Sequence, residues 1–261
     1  MLADSFGRIA TDLRVSLTDR CNLHCSYCMP PEGLDWLPGP ALLTDEEIAR
    51  LIGIAVQRLG VTEVRFTGGE PLLRRGLAAA ATAGLAPVKV NAVLIRGVND
   101  HEAASLLRFC LDHGYQLRFI EQMPLDAQHG WRRADMVTAD EILAALSAEF
   151  ALTPEDSAAR GAAPAETFLI DGGPERVGVI GSVTRPFCGA CDRVRLTADG
   201  QIRNCLFARE ESDLRTPLRA GASDEQLAVS WRRAVAVKLP GHGINDPGFL
   251  QPARPMSAIG G

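Results

Sequence analysis

Between residues 12 and 121, short strand-like runs alternate with helix-length stretches, and this alternation constrains the fold more than any other feature of the chain. Residues 12–18, 61–67, 88–95 and 115–121 read as strands. Residues 45–59 read as a helix, opened by the capping box of Thr44 and Glu47 and stopped at Gly60, and further helices are expected at 72–83 and 101–113. That order predicts parallel strands with helical crossovers. A parallel strand buried on both faces is apolar throughout, and these are not. Arg14 and Ser16 alternate with Leu13, Val15 and Leu17; Glu63, Arg65 and Thr67 with Val64 and Phe66; Lys89 and Asn91 with Val88, Val90 and Ala92. Three polar, largely cationic faces predict a barrel wall around a lumen that holds a charged ligand; edge strands with a solvated face are the alternative.

Further along, Thr138 and Glu141 cap a helix running to residue 149. Residues 152–173 dissolve into Ala, Pro, Gly and acidic residues, with a loop expected at 161–164. Short strands follow near 167–170 and 176–182, then a hairpin across Asp199 and Gly200. The expected division is a larger α/β part, 1–150, and a smaller C-terminal subdomain, 151–261.

Composition excludes several functions. A net charge of -5 argues against a general nucleic-acid surface. No apolar run approaches the ~20 residues that span a bilayer and no signal pattern opens the chain, so the expected compartment is the cytoplasm. In that reducing setting, seven cysteines point to metal or redox chemistry rather than disulfides.

Three of them, Cys21, Cys25 and Cys28, fall within eight residues directly after the first strand. A structural zinc site takes four protein ligands, whereas three thiolates leave one metal position open. His24 would have to double back to reach the same metal. Cys188, Cys191 and Cys205 form a second set; half a zinc ribbon is the competing reading, but its fourth cysteine is missing. Arg193 and Arg195 alternate on a strand between them, placing two guanidiniums on one side for a bidentate grip on phosphate, or else in solvent. Cys110, mid-helix among leucines, reads as a core thiol. Gly68-Gly69-Glu70-Pro71 reads as a turn whose glycines allow close backbone approach.

The spacing Cys-x3-Cys-x2-Cys with Tyr27 before its last cysteine resembles the signature of the radical S-adenosylmethionine (SAM) enzymes. The run from Asp12 to Asn22 and Cys28-Met29-Pro30 resemble one branch, the GTP 3′,8-cyclase family of molybdenum cofactor biosynthesis (the MoaA family). The resemblance implies a partial, incomplete parallel β/α barrel of radical SAM type with a smaller C-terminal cluster-binding subdomain. It implies two [4Fe-4S] clusters, one on Cys21, Cys25 and Cys28, the other on Cys188, Cys191 and Cys205. SAM would meet Tyr27, Gly69 and Met123. GTP would meet Arg14, Arg65, Lys89, Arg193, Val194 and Arg195. The terminal pair Gly260 and Gly261 would enter the active site and aid radical initiation. The activity implied is a cytoplasmic lyase that cyclises GTP to 3′,8-cyclo-7,8-dihydro-GTP. Its partners would be a low-potential electron donor, the next enzyme of the pathway (cyclic pyranopterin monophosphate synthase) and a second copy in a homodimer, with no nucleic acid and no membrane.

One departure stands out. Between Arg75 and Lys89 the chain has thirteen residues, where the family has two further strands with their helices. At ~30 residues per βαβ unit, such a loss removes about a third of a barrel wall and leaves exposed strand edges. Two alternative functions follow: an inactive cluster- or GTP-binding relic, and another radical SAM enzyme with an auxiliary cluster, such as a peptide maturase.

Overall fold

The computed structural model describes residues 1–22, 25, 28–29, 32–70, 73, 89–156 and 160–259. Tyr27, Gly260, Gly261 and the helix expected at 72–83, apart from residue 73, lie outside the described residues. The strands are β1 (Asp12–Ser16), β2 (Glu63–Thr67), β3 (Lys89–Val93), β4 (Gln116–Ile120), β5 (Leu152–Pro154), β6 (Glu166–Ile170), β7 (Arg176–Ile180), β8 (Arg193–Leu196), β9 (Gln201–Arg203) and β10 (Ser212–Asp213). The helices are α1 (Asp45–Leu59), α2 (Ala103–Asp112), α3 (Ala139–Ser147), α4 (Arg215–Arg219), α5 (Asp224–Ala236) and α6 (Met256–Ile259). They divide into two compact units that interleave along the sequence. One comprises Met1–Ala80, Leu125–His129 and Cys191–Gly261, the other Ala81–Pro124 and Gly130–Ala190.

In the first unit the sheet runs β10-β9-β8-β1-β2. β1 is parallel to both β2 and β8, and β8 turns back through the expected hairpin into antiparallel β9. Leu13, Val15, Val194 and Leu196 point from these strands into one core with Leu51 and Leu59 of α1 and Leu227 and Trp231 of α5. Each such side chain contributes about 1.5–3 kcal/mol by leaving water, which fixes the face the strands turn inward. α1 forms as its sequence predicts: the Thr44–Glu47 capping box is present, and Gly60 ends the helix in the left-handed region at φ 81.

In the second unit the order is β3-β4-β7-β6-β5, with β3, β4 and β7 parallel and β6 and β5 antiparallel. Its core joins Leu117 and Phe119 to Leu107 and Cys110 of α2 and Ile142 of α3, so Cys110 is the buried thiol expected. At the end of β4, Glu121 is fully buried and accepts from the backbone N–H groups of Ala139, Val183 and Thr184 at 2.7–2.9 Å. It ties the start of α3 to the turn after β7. β5 corrects the reading of 152–173 as structureless from its first residue. Three residues ending in Pro154 carry no periodic signal, and only pairing with β6 makes them a strand.

The strands after residue 150 do not form a sheet of their own. β5 to β7 complete the sheet begun by β3 and β4, and β8 to β10 complete the one begun by β1 and β2. Among the described residues β2 and β3 each close one end of a sheet, on the two sides of segment 71–88. Phe66, on the apolar side of β2, is 49% exposed.

Candidate active site

Opposite its core residues, β1 presents Asp12, Arg14 and Ser16. The parallel register sets Arg14 across from Arg65 on one side and from Arg195 on the other, and the antiparallel β8–β9 pairing sets Arg195 across from Arg203. Four guanidinium side chains therefore occupy one row across β2, β1, β8 and β9. Like charges directly opposite one another are destabilising, and burial adds to the cost. Burial, then Arg193 and Arg65, brings Arg14 down to about 10 against the partial support of Asp12. Arg195, buried in the row, is held well below the ordinary arginine value by burial, then by Arg14 and Arg193.

The resident acids offset this only in part. Asp12 Oδ2 lies 3.4 Å from Arg65 Nε and 4.0 Å from Arg14 Nε, and Glu63 reaches Arg65 at 2.8 Å. Burial raises the pKa of Asp12 itself. Arg203 is compensated by Glu211 and the Leu206 carbonyl, so it braces the row from behind. A polyanion laid on this face would relieve repulsion between cations and gain charge-assisted hydrogen bonds at once. Val194 lies between the two arginines of β8 with its side chain in the core, so it has only its main chain to offer there.

β1 leads through Leu17 to Asp19 into the first thiol loop. Here the Gly68-Gly69 turn has a structural cause. A Cβ on Gly68 would stand 2.4 Å from the Thr18 carbonyl oxygen, and one on Gly69 would stand 2.2 Å from that of Arg20. The turn runs backbone to backbone along the chain entering the loop, with Gly69 N–H donating to Thr18 O at 2.9 Å and Glu70 N–H to Arg20 O at 2.8 Å. Inside the loop, the N–H groups of Cys28 and Met29 both donate to Cys25 O at 2.9 Å. Burial, then Cys25 and Cys21, pushes the Cys28 thiol up to about 11. Cys21 and Cys25 lie close enough to Cys28 to act on its charge, and all three are free, partly buried thiols, a donor set of the kind that would hold an iron-sulfur cluster.

The C-terminal segment reaches the same place. Ser16 Oγ donates to Ile259 O at 3.2 Å, and the buried Ser257 lies against Cys28. Arg254 anchors this segment, at 3.1 Å from Asp199 and 2.9 Å from Glu211, while donating to Ala258 O at 3.0 Å.

In the second set, Cys191 stands just before β8 and Cys205 just after β9, at the same end of the hairpin. Burial opposes ionisation of Cys191, but Arg193 and Lys238 outweigh it and hold the thiol below its ordinary value. Cys188 opens the turn Cys188–Ala190 in the second unit, which also carries Lys89, exposed at the start of β3, and Met123, half-buried after β4. Sequence reasoning missed Asp12, Arg203, Lys238 and Arg254. Arg203 continues the alternation Gln201, Ile202, Arg203 and was within reach of the same period-2 argument; the others carry no local signal.

A strand running into a three-thiol loop, clasped by a glycine turn at the end of the next parallel strand, defines a radical SAM protein, and the Radical SAM superfamily pattern matches residues 15–81. The Molybdenum Cofactor Synthesis C pattern matches residues 115–244. The GTP 3′,8-cyclase of Streptomyces coelicolor is 54% identical over 329 positions, covering all of this chain and 96% of that protein. Those of Mycobacterium sp. (strain KMS) and Mycolicibacterium smegmatis are 54% and 51% identical, covering all of this chain and 93% and 92% of theirs. The chain belongs to the GTP 3′,8-cyclase family. Aligned over 329 positions with only 261 residues, it lacks about 68 positions present in the Streptomyces relative. At ~30 residues per βαβ unit that is close to two strands with their helices.

Proposed function

We propose that this chain cyclises GTP to 3′,8-cyclo-7,8-dihydro-GTP, the first step of molybdenum cofactor biosynthesis, using two [4Fe-4S] clusters and SAM. The observation that carries the reading is the arginine row, set in the same sheet whose strands lead into both thiol sites. When bound, the first cluster and SAM supply the radical that takes hydrogen from C3′ of GTP. Everything else falls to the chain's own residues.

Arg14, Arg65, Arg193 and Arg195 grip the triphosphate, each guanidinium gaining a counter-charge that the unliganded sheet supplies only in part. Lys89 adds a further cation and Val194 its main chain. Cys21, Cys25 and Cys28 would hold the first cluster, and Cys188, Cys191 and Cys205 the second. Gly69, Met123 and Tyr27 would meet SAM, and the terminal pair Gly260 and Gly261 would enter the active site and aid radical initiation. By this division of labour, 1–150 carries the SAM chemistry, and 151–261 carries the second cluster and the tail. A low-potential reductant, the next enzyme of the pathway, a cytoplasmic setting and a homodimer complete the reading. It is supported by the family and by the described helices, none of which is long and apolar enough to cross a membrane.

The test is anaerobic reconstitution with iron and sulfide, then incubation with SAM, dithionite and GTP, reading 5′-deoxyadenosine and the cyclised nucleotide by mass spectrometry. Both products are expected. Clusters that form without GTP-dependent SAM cleavage would overturn the activity and leave an inactive relic.

A further inference from the structure

The chain has 27 basic residues, of which 25 are arginine and two lysine, Lys89 and Lys238. Where arginine is the default cation, a retained lysine marks a place that needs a compact ammonium rather than a planar fork. Lys238 is such a place. It follows α5 in an exposed stretch, flanked by Val237 at 70% and Leu239 at 69% exposure, yet is itself only 4% exposed. Lysine is almost never buried to this degree unless its charge is matched.

Its three donors account for the burial. Nζ donates to the Arg193 carbonyl at 2.9 Å, the Cys191 carbonyl at 3.1 Å and the Cys191 sulfur at 3.3 Å. An ammonium has three protons, and all three are spent on two residues of one strand entry. Carbonyl dipoles solvate the charge without neutralising it. The one partner able to bear a full negative charge is the Cys191 sulfur, and a ligated cysteine is a thiolate permanently. No carboxylate lies within ion-pair distance of Nζ among the described residues.

We propose that Lys238 is a positioning residue for the second cluster: its ammonium is the resident counter-ion and N–H···S donor to the ligand Cys191, favouring the reduced cluster and fixing the start of β8. A hydrogen bond and a positive charge at a ligating sulfur stabilise the more negative oxidation state, so they raise the reduction potential. The two carbonyl bonds add a mechanical role, because they hold Cys191 and Arg193 in one geometry and so join cluster ligand and phosphate grip. Arginine at 238 would be too long and too flat to meet three acceptors this close together.

The inference rests on the two-cluster reading, and the experiment separates the two. With only two lysines, labelling the full chain with lysine carrying 15N at the ε position gives one label near Cys191. Iron is counted first: about eight per chain is expected for two [4Fe-4S] clusters, and about four would remove the two-cluster reading and this proposal with it. Given eight, pulsed electron paramagnetic resonance of the reduced second cluster should show 15N coupling that disappears in Lys238→Arg. Lys238→Met should move the second cluster's midpoint potential downward and leave the first cluster's unchanged. Absence of the coupling in the unaltered chain, or an unshifted midpoint in an iron-replete Lys238→Met, would overturn the proposal. Should Lys238→Met fail to load iron, the isotope measurement on the unaltered chain decides alone.

Discussion

At the first thiol loop, Cys28 is buried beside Cys25 and Cys21, and its proton is held up to about 11. At the second site, Cys191 is also buried, but Arg193 and Lys238 more than offset the burial. Each set offers three cysteines, and at these two thiols the surroundings act in opposite directions. What acts most strongly on Cys28 is burial and the two neighbouring thiols, so a bound cluster would itself provide the positive charge there. The hairpin site brings protein cations with it, because it opens onto the arginine row. Ligand count alone does not distinguish an electron-delivering cluster from one placed near a polyanionic substrate; the neighbouring charges do.

The largest expected effect breaks the first site. Changing Cys25 to Ala should abolish SAM cleavage and lower iron from about eight to about four per chain, with the second cluster's spectrum retained. Loss of both spectra together would show that the two sites are not independent. Next comes the row. Arg195→Ala removes one charge-assisted grip of about 1.5–3 kcal/mol, so the KM for GTP should rise about 10- to 100-fold at unchanged iron content. Basal SAM cleavage without GTP should be unaffected, and steady-state kinetics checks both.

A third variant tests the arm that reaches the first loop. Arg254→Ala frees the C-terminal segment from Asp199 and Glu211, and a roughly tenfold fall in GTP-dependent 5′-deoxyadenosine is expected with both clusters intact. Asp199→Asn should fall in the same direction by less, since Glu211 still holds Arg254. In the iron-free chain the contrast is chemical. As pH is raised, a thiol alkylating reagent should modify Cys191 before Cys28, read by peptide mass spectrometry, because only the thiolate reacts. Labelling in the reverse order would contradict the charge assignment of both sites.

The smallest effect is a control remote from either thiol. Glu141 accepts from the N-cap backbone of Thr138 and from Arg96, first the former and then the latter, which lowers its pKa to about 2. Its contribution to folding is therefore complete above the ordinary glutamate value near 4.5 and is lost as pH falls through about 2. Glu141→Gln should cost about 1 kcal/mol at neutral pH, seen as a small drop in Tm, and leave both clusters' spectra unaltered.

Much of the fold was legible because its signals are local. Thr44 with Glu47, Thr138 with Glu141, and Gly60 place helix ends through bonds made within a few residues. Asp199-Gly200 does the same for a hairpin, with Gly200 at φ 80. Period-2 alternation identified the cationic strand faces before any pairing was known, and both thiol sets stood out by spacing. The role of Gly68 and Gly69 was half legible: a close approach was expected, but the partner, the backbone of Thr18 to Arg20, comes from the segment after β1, about fifty residues earlier.

By itself, then, the sequence determined most of the strands of the alternating region, which face of β1, β2 and β3 is polar, and the spacing of two cysteine triplets, since each follows from neighbours in the chain. Only the tertiary structure decided that Arg65, Arg14, Arg195 and Arg203 share one row, because register between β2, β1, β8 and β9 is set by burying Leu13, Val15 and Val194 in a common core. It alone brought Lys238 to Cys191, forty-seven positions away, where its buried ammonium meets that sulfur and two backbone carbonyls. Local bonds write themselves into sequence; charges that matter through burial do not, because burial is a property of the whole fold.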